Sequence, residues 1–303
     1  ALDLPELPNA QGKVFKVPFS VVFTPAAQLT YTGEPEPVAV PEKAGRVYMD
    51  TKTLSPAQFE FRSRASARIR RDRQRLIEQG ARHIGKMLKA QGVRLSESIA
   101  KSQGDSLARK DIEAIDWDAE EQELAKVLNR FYMANGEAAF EATAGLTGTD
   151  SVWQISNPRI AKLMQQLGLR IVAINESTRV MVQQIVTDGL LDGQTYREIA
   201  EAIAKHVEQT YAGRAMTIAR TESIQAYSKA SVLSYAESGV VENVEFIDNP
   251  EHTEDYGASD GMSCAERDGL VVPLYEAEMH IEAEHVNGSL LVIGVLATPL
   301  GEG

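Results

Sequence analysis

The stretch RAMTIARTESIQAYSKASVLSYAESG, residues 214–239, decides the fold. Ala215, Ala219, Glu222, Ala226, Ala230 and Leu233 recur at steps of four, three, four, four and three, the period of one α-helical face, and Gly239 supplies a stop. Side chains this small let a second helix approach closely, so the segment predicts a helix packed inside a helical body. Glu222 stands in the middle of the stripe, which carries its carboxylate inward. An unpaired charge there is costly, so a cationic or hydrogen-bonding partner is expected from another element. Arg220 lies two residues away on a different face, which leaves Arg197 and Arg214 as candidates. The arrangement reads either as an ion pair fixing how helices meet or as a catalytic carboxylate.

Outward from this segment, towards the amino terminus, the pattern stays α. Gly193 to Thr195 opens a helix over 196–210 with Ile199, Ile203 and Val207 as its stripe. Asn157 before Pro158 opens another, which continues through Ile171, Ile174, Thr178, Met181 and Ile185 and stops at Gly189. A helix over 118–144 is predicted by Leu124, Leu128 and Phe131, with a turn over 145–150 and a short helix over 105–115 before it. Ser55 before Pro56 combines an N-cap with proline at the first helical position, and a long polar helix follows to about Gln91. Its first half is basic: Arg62, Arg64, Arg68, Arg70, Arg71, Arg73 and Arg75 stand against the single acid Asp72, in a chain of net charge -12. These arginines read either as a solvated helix face or as a contact for DNA or an acidic protein surface, since the planar guanidinium pairs with phosphate and carboxylate alike.

Both ends differ from this helical middle. Seven of the twelve prolines fall before residue 45, which makes the amino-terminal part an extended arm. Within it, residues 14–17 and 19–23 are strand-like pieces separated by Pro18. Beyond Gly239, residues 240–247 and 290–296 read as strands, the second a nearly continuous apolar run suited to burial. The roughly forty residues between them are too long for a bare loop and must be functional or padded with short elements. The fold class expected is α+β, predominantly α, with an extended arm over 1–54, a long helical region over 55–150, and a body over 151–303 that ends in a small sheet.

Composition narrows the chemistry. The chain of 303 residues has 43% hydrophobic and 24% charged residues, with no apolar run long enough for a membrane span and no signal peptide. The single cysteine, Cys264, excludes an internal disulfide. The negative net charge argues against a surface that binds nucleic acid all over, though not against a basic patch. A nucleic-acid regulator would need a recognition helix or an aromatic platform, and neither is legible. Cys264 with His252, His280 and His285 in the same stretch does not spell a coherent nucleophile and base.

Ile218-Ala-Arg220-Thr221-Glu222, followed by Ala226, Ala230, Tyr235 and Gly239, resembles the IARTE signature of phage minor head proteins of the Mu F type. Gly193 to Ala200, and 157–159 through 175–178, resemble the regions before that signature. Downstream, Cys264 with Asp268, Gly269 and Pro273-Leu274, then His285-Val-Asn287, resemble the family's C-x-x-x-D-G, P-L and H-P-N-C elements. The resemblance covers residues 151–296. Many family members carry further cysteines in a metal-like constellation, but Gly261 and Gly288 occupy two of those positions here. Cys264 and His285 alone do not make a zinc site, so no metal is expected, and Asp268, Gly269, His285 and Asn287 are expected to hold loop geometry. In the arm, Val14, Phe15, Val17, Pro18 and Phe19 fall in a stretch that resembles the closing part of a phage portal protein.

The resemblance implies a non-enzymatic virion protein, assembled in the host cytoplasm and placed at the portal vertex or in the capsid interior. Its implied role is in head morphogenesis and in DNA packaging or ejection, with no cofactor. Implied partners are portal and capsid proteins, further copies of the chain through portal symmetry, and packaged DNA through the arginine-rich helix. The alternative is an ADP-ribosyltransferase-like effector carried in the head, for which Glu276, Glu278, Glu282 and Glu284 superficially offer an E-x-E element. No glycine-rich phosphate loop accompanies them.

Overall fold

In a computed structural model of the chain, the described residues are 47–49, 51, 54–101, 115–254, 256 and 258–296. The arm with Val14, Phe15, Val17, Pro18 and Phe19, and most of the short helix expected over 105–115, lie outside them. Among the described residues the order is β1 (Val47–Tyr48), α1 (Pro56–Lys101), α2 (Trp117–Thr147), α3 (Pro158–Leu191), α4 (Tyr196–Ser238), β2 (Val241–Ile247), α5 (Cys264–Arg267), β3 (Leu270–Pro273), α6 (Leu274–Ala283) and β4 (Leu291–Leu296). This is the mostly helical body with a small terminal sheet that the sequence predicts.

The four long helices begin where their capping residues say they should. Gln58 N–H donates to Ser55 Oγ at 3.3 Å while Ser55 N–H donates to Gln58 Oε1 at 2.9 Å, opening α1. Asp116 caps α2, Asn157 caps α3 ahead of Pro158, and Thr195 forms a full capping box with Glu198 at the start of α4. Several boundaries differ from the sequence reading; α2, for one, runs on to Thr147, into the turn expected over 145–150. α1 runs past Gln91 to Lys101, because Leu95 and Ile99 are buried against Val182, Val186, Ile199 and Ile203. The helices expected over 196–210 and 214–239 are one helix of 43 residues, closed by Gly239 in the left-handed conformation. Gly189 lies within α3, which closes instead at Asp192 and Gly193, whose φ is +69°. A side chain at 189 would strike Ile199, so this glycine serves close packing rather than termination.

α4 is the axis of the molecule. Every residue from Thr221 to Ser231 is buried, because α1, α2, α3, α6 and the sheet all pack around it. The small residues of the 214–239 stretch therefore serve several faces at once. One hydrophobic cluster joins Ile69, Ile77 and Ile84 of α1, Leu124, Leu128 and Phe140 of α2, Leu163, Leu167 and Ile171 of α3, Ala219 and Ala226 of α4, and Ile293 of β4. The antiparallel sheet has the order β1-β3-β2-β4, with Val244 opposite Val272 and Phe246 opposite Val292. β4 is buried on both faces: Leu291 and Ile293 meet the helices, while Val292 meets a second cluster with Val244, Phe246, Met262 and Ile281. The segment between the strands is padded, holding α5, β3 and α6.

α1 and α4 pack tightly at Gly92, where an added Cβ would sit 2.5 Å from Val207 Cγ1 and 2.8 Å from its Cβ. The branched valine cannot swing clear. Gly92→Ala is accordingly expected to lower stability in a denaturant melt by about 1–2 kcal/mol, overpacking outweighing the gain in helix propensity. Val207→Ala in the same chain should recover most of that loss.

Candidate functional site

The Arg220–Thr221–Glu222 signature sits midway along α4 and faces two ways. Glu222 points into the helical core, as its place in the stripe predicts, and is 3% exposed. Its partner is neither Arg197, which pairs with Glu201 on the surface, nor Arg214, which donates to Ile174 O, Ser177 Oγ and Thr178 Oγ1. Arg170 on α3 grips it instead, with Nε donating to Oε2 at 2.7 Å and Nη2 to Oε1 at 2.8 Å. Tyr132 on α2 donates its hydroxyl to Oε2 at 2.8 Å. Burial, then the neighbouring Glu222 charge, holds the Tyr132 phenol well above its usual range, so it remains a donor. Arg170 shares the apolar face of α3, at steps of four, three and four through Leu163, Leu167, Arg170 and Ile174. A cation in step with that stripe was the available signal in the sequence. Asn135 and Ser223 add a further buried bond between α2 and α4, at 2.6 Å.

Arg220 and Thr221 face the carboxy-terminal loop. Arg220 Nη1 donates to Asn287 Oδ1 at 2.8 Å, and Asn287 N–H donates to Thr221 Oγ1 at 3.0 Å. Asn287 holds a φ of +66°, which asparagine tolerates better than most residues, so these two bonds pin a left-handed turn. Asp268 and Gly269 act elsewhere, at the end of β2. Asp268 Oδ1 accepts from Asp248 N–H at 3.0 Å, and Gly269, at φ +78°, donates to Phe246 O at 2.8 Å. His285 lies between, with Nε2 3.0 Å from the buried Cys264 Sγ and Nδ1 2.9 Å from Val286 O.

That corner also gathers residues the sequence left apart. The ligand atoms of His252, Cys264 and His285 lie within 4.8 Å of one another, as do those of Asp248, Cys264 and Glu284. Burial, followed by the Asp248 and Glu284 charges, pushes the Cys264 thiol up to about 12, so in this state it is no nucleophile at neutral pH. Burial and Asp248 likewise raise Glu284 to about 7. Of the E-x-E acids, Glu278 and Glu282 pair with Lys229 of α4, and Glu284 pairs with Arg267.

The arginine-rich half of α1 divides by face. Arg62 binds Glu245 of β2 through Nε and Nη2, at 2.8 and 2.7 Å. Arg73 is fully buried, donating to Leu290 O, and desolvation pushes its guanidinium down to about 10. Arg64 pairs with Glu60, and Arg68 lies beside Asp72 and Glu141. Arg70, Arg71 and Arg75 are exposed and meet no acidic partner among the described residues. Arg64, Arg68, Arg71 and Arg75 continue through Arg82, Lys86 and Lys89 at steps of four, three, four, seven, four and three, one stripe opposite the buried face. Glu78 interrupts that stripe, and Lys89 pairs with Glu208. Arg68, Arg71 and Arg75 border a cleft of about 400 Å³ between α1 and α2, closed on its far side by Ala138 and Glu141.

With this geometry in place, comparison with known families gives a match. Residues 180–287 match the model for Phage Mu protein F like proteins. Over that segment, which spans the Arg220–Thr221–Glu222 signature and ends on Asn287, the chain is Mu F-like, and the match supports a phage head protein in general terms. It is shorter than the stretch over which the sequence carries the resemblance, and it does not extend to the portal-like stretch of the arm. No curated protein and no solved structure matches the chain.

The Arg170–Glu222–Tyr132 group is a buried charge with its partners supplied. Arg170→Ala should cost about 3–5 kcal/mol in a urea melt, because it strands Glu222. Replacing both partners by apolar residues, Arg170→Met with Glu222→Leu, should cost less than that single change.

Proposed function

We propose that the chain is a structural, non-enzymatic component of the phage head at the portal vertex, with the exposed basic face of α1 turned towards packaged DNA. The stripe from Arg64 to Lys89 carries this reading. It concentrates seven cations on one helix face of a chain whose net charge is -12, with Arg68 and Lys89 at its edges paired to Glu141 and Glu208 of neighbouring helices and Arg71, Arg75 and Arg82 exposed between them. At 1.5 Å per residue these cations span roughly 37 Å, a length over which a DNA duplex presents about twenty phosphates. The guanidinium groups of Arg71, Arg75 and Arg82, which meet no acidic partner among the described residues, suit phosphate without reading base sequence, as a protein that handles an entire genome requires. Arg62 and Arg73 take no part in this contact, being held by Glu245 and Leu290 O.

In the same reading the arm over 1–54 docks on the portal ring, which sets the copy number by portal symmetry, and the helical body projects into the head. The Mu F-like match supports a head protein, while the portal position and the role in packaging or ejection rest on the portal-like stretch and the basic face. A reconstruction of heads containing the chain tests the placement: density for residues 14–25 on the portal ring is expected, and a chain missing from the portal vertex defeats it.

The contact itself is read by equilibrium binding to duplex DNA over a range of salt. Affinity should fall linearly with salt on logarithmic axes and be independent of DNA sequence. Each of Arg71→Ala, Arg75→Ala and Arg82→Ala should flatten that slope by about 1. Slopes left unchanged in all three variants would remove α1 from the interface.

A further inference from the structure

α3 turns a largely uncharged line of residues to solvent. Leu169, Ala173, Glu176, Val180, Gln184, Thr187 and Leu191 recur at steps of four, three, four, four, three and four, along one side of the helix. The line lies opposite Leu167, Ile171, Thr178 and Val182, on the buried side of α3, which packs on α2 and α4. Leu169 and Leu191 are 71% and 82% exposed, and Val180 and the flanking Val172 are exposed as well. Single exposed leucines are ordinary on a protein surface, but the outer face of an amphipathic helix is normally polar and charged along its length. Here Glu176 is the one charge on the line, whereas the outward stripe of α1 is arginine and lysine.

We propose that this face pairs two copies of the chain, α3 against α3, antiparallel about a two-fold axis at Val180. The order Leu-Ala-Glu-Val-Gln-Thr-Leu reads nearly the same in both directions, with glutamine answering glutamate and threonine answering alanine. The spacing is symmetric too, since the matched positions lie four, seven and eleven residues on either side of Val180. In a two-fold contact, a residue that meets another is met by it in return. Leu169 then meets Leu191 of the second copy, Ala173 meets Thr187, Glu176 meets Gln184, and Val180 meets its own equivalent. A partner of unrelated sequence would not require this symmetry of side chains.

Charge decides the direction. In a parallel pair Glu176 would face Glu176, and like charges in contact are repelled, whereas in the antiparallel pair it faces an amide. Gln184 Nε2 gives one hydrogen to Asp188 Oδ1 at 2.8 Å and keeps a second for the Glu176 carboxylate of the other copy. Within its own chain Glu176 meets Arg179 at 3.8 Å, on the flank of the line, so its outer side stays open to that bond. Asp188 falls opposite Val172 rather than another acid.

From Leu169 to Leu191 the line is roughly 33 Å long, and one helix face of that length buries less than the roughly 1,600 Å² of a standard interface. The pair is therefore expected to dissociate on dilution. It uses no residue of the basic stripe on α1, and a two-fold pair is separate from any ring set by the portal, so it stands or falls independently of the DNA contact.

The test is sedimentation equilibrium of the full chain over a wide range of concentration, with a monomer–dimer equilibrium expected. Val180→Glu, at an exposed position, should keep the helical circular dichroism and weaken association on the order of 100-fold, because two like charges meet on the axis. Arg71→Ala should associate as wild type does, even where its DNA binding is altered. Direction is read by mild oxidation of cysteine variants, since the single native cysteine, Cys264, is buried. Chains with Leu169→Cys mixed with chains with Leu191→Cys should give covalent dimers that neither variant gives alone. The proposal is overturned if the wild-type chain stays monomeric at every concentration, which would leave the face to a different partner. It is equally overturned if Val180→Glu associates as tightly as wild type, or if the mixed cysteine variants cross-link no better than either alone.

Discussion

The structure depends on burying one helix on all sides. α4 passes through the molecule with eleven consecutive residues, Thr221 to Ser231, out of solvent, and its polar groups must be satisfied by whatever surrounds it. Glu222 is the strictest case. Its carboxylate can enter the core only because α3 brings a guanidinium and α2 a phenol to the same point, so one residue fixes the relative depth of three helices. Apolar packing alone is tolerant of small slides between helices, and a bidentate ion pair is not.

Around that axis the other elements are two-sided. α1 lays an apolar edge along α4 over most of its length and turns arginine and lysine outward, so a single helix supplies both a wall of the core and a basic surface on an acidic chain. Where a cation falls on the inner side it is captured by the body: Arg62 ties α1 to β2 through Glu245, and Arg73 reaches the backbone just before β4. The sheet is held to the helices by these charges as well as by Ile247, Leu291 and Ile293.

The signature residues link the two halves of the molecule. Arg220 and Thr221, next to Glu222 in sequence, leave α4 on the side of the loop and hold the turn at Asn287, while Glu222 holds α2 and α3. Three adjacent residues thus couple the helical body to the corner where Cys264 and His285 meet, which explains in physical terms why an Arg-Thr-Glu run and a distant His-x-Asn can form one signature.

By itself the sequence determined the long helices that begin at Pro56, near Trp117, at Pro158 and at Tyr196, the capped starts at Ser55, Asn157 and Thr195, the strands near 240–247 and 290–296, and that Glu222 points inward with a partner. Those features rest on short-range physics: periodicity, capping hydrogen bonds, and the cost of an unpaired buried charge. Only the tertiary structure decided that the partner is Arg170, that Gly189 is a packing contact rather than a stop, that Gly92 admits Val207, and that two predicted helices are one. It alone separated the inner from the outer arginines of α1 and drew His252, Asp248 and Glu284 around Cys264. Each of these depends on which residue of a distant segment arrives at a given point, and no local propensity carries that information. A glycine that ends a helix and a glycine that admits a neighbouring side chain are the same letter until the neighbour is in place.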